Sequence, residues 1–180
     1  VDRVNALVDR LWATRAGLDT PLTADIRIET PQQQRVLLRD APDDARRQPY
    51  KINDLYLDYE EIRELALDER LCAVLAQLLG GAPMVCNSLN FEYGSQQSDH
   101  VDSLFMPSRK EGGMLAAWVA LDEVADDNGP VTYIPGSHLI PAYRFSHGRR
   151  NAVDAEMGDW RRYIEQAVAE RALEPVAFPA

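Results

Sequence analysis

Long cationic runs are missing from this 180-residue chain: no stretch of Lys or Arg exceeds a pair, and 19 basic against 29 acidic residues leave a net charge of −10. Such a chain has no surface on which to track a phosphate backbone, so no nucleic-acid partner is expected. Cysteine is scarce. Cys72 and Cys86 lack the C-x-x-C spacing of a zinc or redox site, and both are expected to be buried free thiols, one on a helix and one on a strand. No apolar run approaches the roughly 20 residues that cross a bilayer, and no charged-then-apolar leader is read at the start. A cytoplasmic protein without a membrane span is therefore expected, while Val1 in place of Met leaves N-terminal processing or trimming open. The length suits one domain with a real core.

What is present falls into two styles. Val4, Leu7, Val8, Leu11 and Trp12 recur at helical spacing between Asp2 and Arg15, which predicts an amphipathic helix. From 16 to 49 the pattern dissolves among Pro21, Pro31, Pro42, Pro49 and the Gln32-Gln33-Gln34 run; this reads as a long irregular arm, either plain connection or a cover over a pocket. Ile62, Leu65, Leu71, Val74, Leu75 and Leu78 restore helical periodicity between Tyr59 and Leu79, where Gly80-Gly81 stops it and Asp68 can split it by capping a second helix. After Pro83 the chain changes character. Met84–Tyr93, Met114–Leu121 and Val131–Ile134 are short β-compatible runs separated by irregular connections, which favours antiparallel pairing over βαβ units. Asp126 to Pro130 is a strong turn, and a last helix is predicted over Asp154–Leu173.

The most informative stretch is Gln97-Ser98-Asp99-His100-Val101-Asp102-Ser103. In an extended segment residues two apart share a face, so the His100 imidazole and the Asp102 carboxylate can hold two adjacent positions of one metal ion, two-thirds of a 2-His-1-carboxylate triad. The other reading is a surface loop carrying both residues for structural hydrogen bonding. Together with Tyr50-Lys51-Ile52-Asn53, the Asn87–Gln97 segment and Trp118-Val119-Ala120-Leu121-Asp122 leading to Pro135-Gly136-Ser137-His138, the pair resembles the phytanoyl-CoA dioxygenase family over about half of the chain.

That resemblance implies an α+β protein with a mainly β core, a double-stranded β-helix (jelly-roll, cupin-like) with flanking helices. Residues 1–180 would be a single partial oxygenase domain: 1–80 mostly helical and irregular, 84–180 the start of the β-helix with an inserted helix 154–173. It implies a non-haem Fe(II)- and 2-oxoglutarate-dependent enzyme that uses molecular oxygen to hydroxylate a small-molecule substrate, releasing succinate and CO2, with His100 and Asp102 as catalytic metal ligands. Asp102 bears on the outcome, because related halogenating enzymes vacate the carboxylate position. Asn90 is expected to turn an amide towards the co-substrate or, alternatively, to bond a neighbouring loop. Gln97 either orients a ligand, contacts substrate or is an exposed loop glutamine. Trp118 either walls the cofactor pocket or, by default, packs in the core. His138 is read as structural and His147 as a solvated loop residue, with Arg149 and Arg150 beside it meeting an anionic substrate or doing nothing. The family pattern continues to a distal iron-binding His and an Arg for 2-oxoglutarate, so a chain truncated before both is expected. The alternatives are a non-catalytic β-helix domain that binds a small molecule or partner, and a cupin-like metal enzyme without a keto acid. Substrate identity and oligomeric state stay open.

Overall fold

Helix α1 (Asp2–Thr14) forms where the apolar spacing predicts it, and the stripe Val4, Leu7, Val8, Leu11 and Trp12 is buried. The structure, a computed structural model, describes residues 1–18, 25–28, 35–94, 97–106, 108, 110 and 112–180, with strand 25–28 described by its backbone alone. Pro21, Pro31, the Gln32–Gln34 run, Ser95 and Gln96 lie outside the described residues. Contacts divide the chain into two units, Val1–Gln96 and Gln97–Ala180.

In the first unit, strands β1 (Asp25–Ile28), β2 (Arg35–Leu37), β3 (Tyr50–Asn53) and β4 (Leu89–Asn90) build an antiparallel sheet in the order β2-β1-β3-β4. Two of these strands lie inside the arm expected to be irregular, and three short 3-10 turns accompany them between 38 and 57. β3 is an inner strand, flanked by β1 and β4, and it is buried. Ile52 pairs with Ile26 on one side and Asn90 on the other, and Tyr50 and Ile52 are essentially inaccessible. Helix α1 meets this strand through an edge-on contact of Trp12 with Tyr50, ring centroids 5.1 Å apart, and through the indole N–H donating to the Tyr50 hydroxyl at 2.9 Å. Tyr50 in turn donates to Glu92 Oε2 at 2.6 Å, and Arg46 clasps Glu92 and also binds Asp9 on α1. Burial first, and the bond to Glu92 second, push the Tyr50 phenol above its ordinary range, so it stays a donor. Asp9, Trp12, Arg46, Tyr50 and Glu92 thus tie α1 to the chain leaving β4. A cleft of about 510 Å³ opens beside them, lined by Asp43, Arg46, Arg47, Glu92 and Tyr93.

The periodic stretch after Tyr59 is two helices, α2 (Glu60–Ala66) and α3 (Glu69–Leu79), with Asp68 as the cap between them. Its carboxylate accepts from the backbone of Arg70 at 3.0 Å and Leu71 at 3.3 Å, and Gly80 ends α3 in the left-handed region at φ 68°. The Arg70 side chain, followed by the Leu71 amide, holds the Asp68 carboxyl below its usual value. A depressed carboxylate stabilises the fold above its unfolded pKa, near 4, and loses that contribution as pH falls through the lower folded value. The expected result is a small stability margin of the wild type over Asp68→Asn at pH 6–8 that closes below about pH 4, read as converging urea midpoints. A margin independent of pH would remove the charge from this cap.

In the second unit β5 (Val131–Tyr133) pairs antiparallel with β6 (Val176–Phe178), and Tyr133 stacks on Phe178 at 4.1 Å. Helix α4 (Met157–Glu170) buries Trp160 and Ala167; it follows a 3-10 turn at Asp154–Glu156 and so begins later than predicted. Leu104, Phe145 and Trp160 form a buried cluster here, with Tyr143, Val153, Met157 and Ile164 packed against it. The described elements are helices and two small antiparallel sheets. They do not by themselves amount to a double-stranded β-helix. Residues 114–121, expected as a strand, have no ladder partner among the described residues, and sheet stability comes from cross-strand pairs. Trp118 in that stretch is 40% exposed, not in the core as its default reading had it. Cys86 is also exposed, because only Leu89–Asn90 of the predicted strand pairs with β3, while Cys72 on α3 is half-buried.

Candidate metal centre

His100 follows a bend at Asp99 and precedes the extended Val101, after which a 3-10 turn runs over Asp102–Leu104. Leu104, 8% exposed, packs into the cluster with Phe145 and Trp160, and its carbonyl accepts from Ala152 N–H at 3.0 Å. Burial of Leu104 therefore fixes the backbone from which Asp102 projects, two residues earlier. The chemistry begins with the imidazole. Nδ1 lies 2.9 Å from the Ser98 carbonyl, an atom that can only accept, so Nδ1 carries the proton. In the neutral ring Nε2 then has a free lone pair, and it faces Asp102 Oδ1 at 3.3 Å.

Two lone pairs at that separation repel unless a cation lies between them. A proton on Nε2 would serve, giving an ordinary ion pair; so would a metal ion, since donors at about 2.1 Å in adjacent coordination positions are about 3 Å apart. The Ser98 carbonyl is the kind of outer partner that fixes the tautomer of a metal-bound His. The two side chains are 37% and 41% exposed, so a metal there keeps open faces. The donor set fits an Fe(II)-type ion as two of its ligands. Among the described residues no group of three His, Cys, Asp or Glu gathers around one point.

The sequence profile described as phytanoyl-CoA dioxygenase (PhyH) matches residues 1–174. The chain belongs to the phytanoyl-CoA dioxygenase family. It is similar to two nematode proteins named phytanoyl-CoA dioxygenase domain-containing protein 1 homolog, from Caenorhabditis briggsae and Caenorhabditis elegans, each 40% identical over 55 residues. That stretch is 29% of this chain and 19% of each relative's length. No solved structure matches significantly. The family so described is one of dioxygenases. No helix among the described residues is long and apolar enough to cross a membrane.

Asn90 sits on β4 opposite Ile52, and its Oδ1 is buried without a hydrogen-bond partner, a state that costs free energy until a partner arrives. Exchanging the amide O and N, which are nearly isosteric, turns this orphan into a donor. Gln97 is exposed and already has an interaction of its own. His138, in the 3-10 turn Ser137–Leu139, is exposed. His147 is exposed in a turn and accepts from Arg149 N–H through Nδ1 at 3.1 Å. Sequence reasoning missed the Ser98 carbonyl, because a backbone acceptor has no residue signature. It also missed Glu92 as the partner of Tyr50, although a Glu beside an aromatic-rich strand end was a readable hint.

Proposed function

We propose that the chain is the metal-binding part of a non-haem Fe(II)- and 2-oxoglutarate-dependent oxygenase that hydroxylates a small organic substrate. The observation that carries this reading is the facing of His100 Nε2 and Asp102 Oδ1 at 3.3 Å, with Nδ1 committed to Ser98. Iron(II), when bound with 2-oxoglutarate and oxygen, supplies the oxidising chemistry: the keto acid loses CO2 and takes one oxygen atom as succinate, and the other atom enters a substrate C–H bond. The chain's own residues do the holding. The Ser98 carbonyl keeps the His100 lone pair on Nε2, and Asp102 supplies an anionic oxygen beside it. By the family resemblance, Asn90 contributes an amide for a co-substrate carboxylate. Gln97 supports a ligand or touches substrate, and Trp118 offers an exposed indole as an apolar wall. A double-stranded β-helix, a single oxygenase domain and a cytoplasmic location belong to the same proposal.

The rival is a non-catalytic binding domain, favoured by the absence of a third gathered ligand among the described residues. Metal dependence separates the two. In the intact protein, Co(II) used as a spectroscopic stand-in for iron is expected to bind more tightly when 2-oxoglutarate is present, and Fe(II) to support succinate formation. Cobalt affinity indifferent to 2-oxoglutarate, with no succinate, would overturn the oxygenase reading and leave the binding domain.

A further inference from the structure

In an acidic chain, the stretch from His138 to Val153 contains no Asp or Glu, while Arg144, His147, Arg149 and Arg150 fall within it. The structure folds its centre into a tight turn. Phe145 N–H donates to the Arg149 carbonyl at 3.1 Å, and Gly148 N–H donates to the Phe145 carbonyl at 2.7 Å. Gly148, at φ 75°, supplies the left-handed residue such a turn requires. Phe145 is buried against Leu104 and Trp160, so the exposed residues on either side of it are held on a fixed base.

Ser146 shows what this turn can grip. Its backbone N–H donates to Glu156 Oε2 at 2.9 Å, and its hydroxyl donates to Glu156 Oε1 at 2.5 Å. Both oxygens of one carboxylate are thus taken by an amide and a hydroxyl, the donor set by which turns hold oxyanions. These bonds, the hydroxyl's first, keep the Glu156 carboxyl below its usual range, so the resident is anionic at neutral pH. The guanidinium groups beside it are not used for this. Among the described residues Arg144 reaches only the Gly148 carbonyl, at 3.4 Å, and the exposed Arg149 side chain has no carboxylate partner. Arg150 has an interaction of its own and is not needed.

We propose that the Arg144–Arg150 turn is an oxyanion-binding site for the phosphate or carboxylate of a small molecule. Ser146 supplies the amide and hydroxyl, Arg144 and Arg149 supply the charge, and Glu156 is the internal occupant that the external anion displaces. The turn and the Asp102 segment share the Leu104–Phe145 contact, and the anion bound here is assigned as the charged end of the substrate. That last assignment, to the substrate of the oxygenase, rests on the reading given above; the anion site does not.

The test uses metal-free, ¹⁵N-labelled protein and follows the Ser146 and Gly148 amide signals during titration with inorganic phosphate, sodium acetate, or sodium chloride at matched ionic strength. Saturable shifts with phosphate or acetate are expected. Saturation by phosphate alone identifies a phosphorylated ligand, and saturation by both identifies carboxylates as ligands too. Arg149→Ala, at an exposed and unpartnered side chain, is expected to weaken binding about tenfold, the loss typical of one hydrogen bond to a charged group. Glu156→Gln is expected to tighten it several-fold by removing the competing anion. Shifts that chloride reproduces, or an unchanged midpoint in Arg149→Ala, would overturn the site. Because no iron is present, neither result depends on whether the protein is an oxygenase.

Discussion

Replacing His100 with alanine is expected to lower Co(II) or Fe(II) affinity of the intact protein more than about 100-fold, since loss even of an outer partner of a metal ligand typically costs 10–100-fold. Asp102→Ala is expected to do the same, and 2-oxoglutarate-dependent succinate formation should vanish in both. The argument is electrostatic. With Nδ1 bound to the Ser98 carbonyl, Nε2 of the neutral ring and Asp102 Oδ1 confront each other as acceptors at 3.3 Å, and a cation between them would relieve that repulsion. If that positive charge is only a proton, the pair is an exposed ion pair, worth about 0–1 kcal/mol. Both alanine variants would then leave metal binding and succinate formation where they were. His138→Ala and His147→Ala are the controls, because both residues are exposed and neither forms an ion pair with a carboxylate among the described residues. A metal affinity that survives in His100→Ala and falls in His147→Ala would move the centre to the 144–150 turn.

The legible parts of this chain were those whose signal is local. Helix α1 followed from five apolar residues on one face, and the break between α2 and α3 from Asp68, whose carboxylate caps the second helix as its residue type suggests. The closeness of His100 and Asp102 was readable from their spacing of two, although Asp102 sits in a 3-10 turn and not in the extended segment expected. What escaped depended on partners distant in sequence. β1 is the alternating Asp25-Ile26-Arg27-Ile28, a pattern that was present but too short to stand out between prolines and glutamines; it exists because β2 and β3 flank it. Conversely, 114–121 has strand composition and no ladder partner among the described residues. The cradle of Ser146 and Glu156 joins a serine in a basic turn to an acid ten residues later. Neither residue signals the other.

Phe145→Ala is expected to destabilise the second unit by about 3–5 kcal/mol, the range for truncating a buried aromatic. Phe145 is 2% exposed, meets Tyr143 edge-on at 5.0 Å and packs with Leu104 and Trp160, so its removal leaves a cavity whose lining belongs to three separate segments. One of those segments carries Asp102, through Leu104; another is the basic turn itself. Loss of stability alone would not distinguish this residue from any other core aromatic. The informative comparison is Phe145→Leu, which keeps most of the apolar volume and is expected to fold with a cost of about 1–2 kcal/mol. If Phe145 sets the position of the Asp102 backbone, the leucine variant should be folded by circular dichroism and still bind Co(II) several-fold more weakly than the wild type. Its Ser146 amide should respond to phosphate with a shifted midpoint as well, because the same ring supports both. A folded Phe145→Leu protein with unchanged cobalt and phosphate midpoints would show that the cluster contributes stability alone, and that the metal pair and the anion turn are positioned independently of each other.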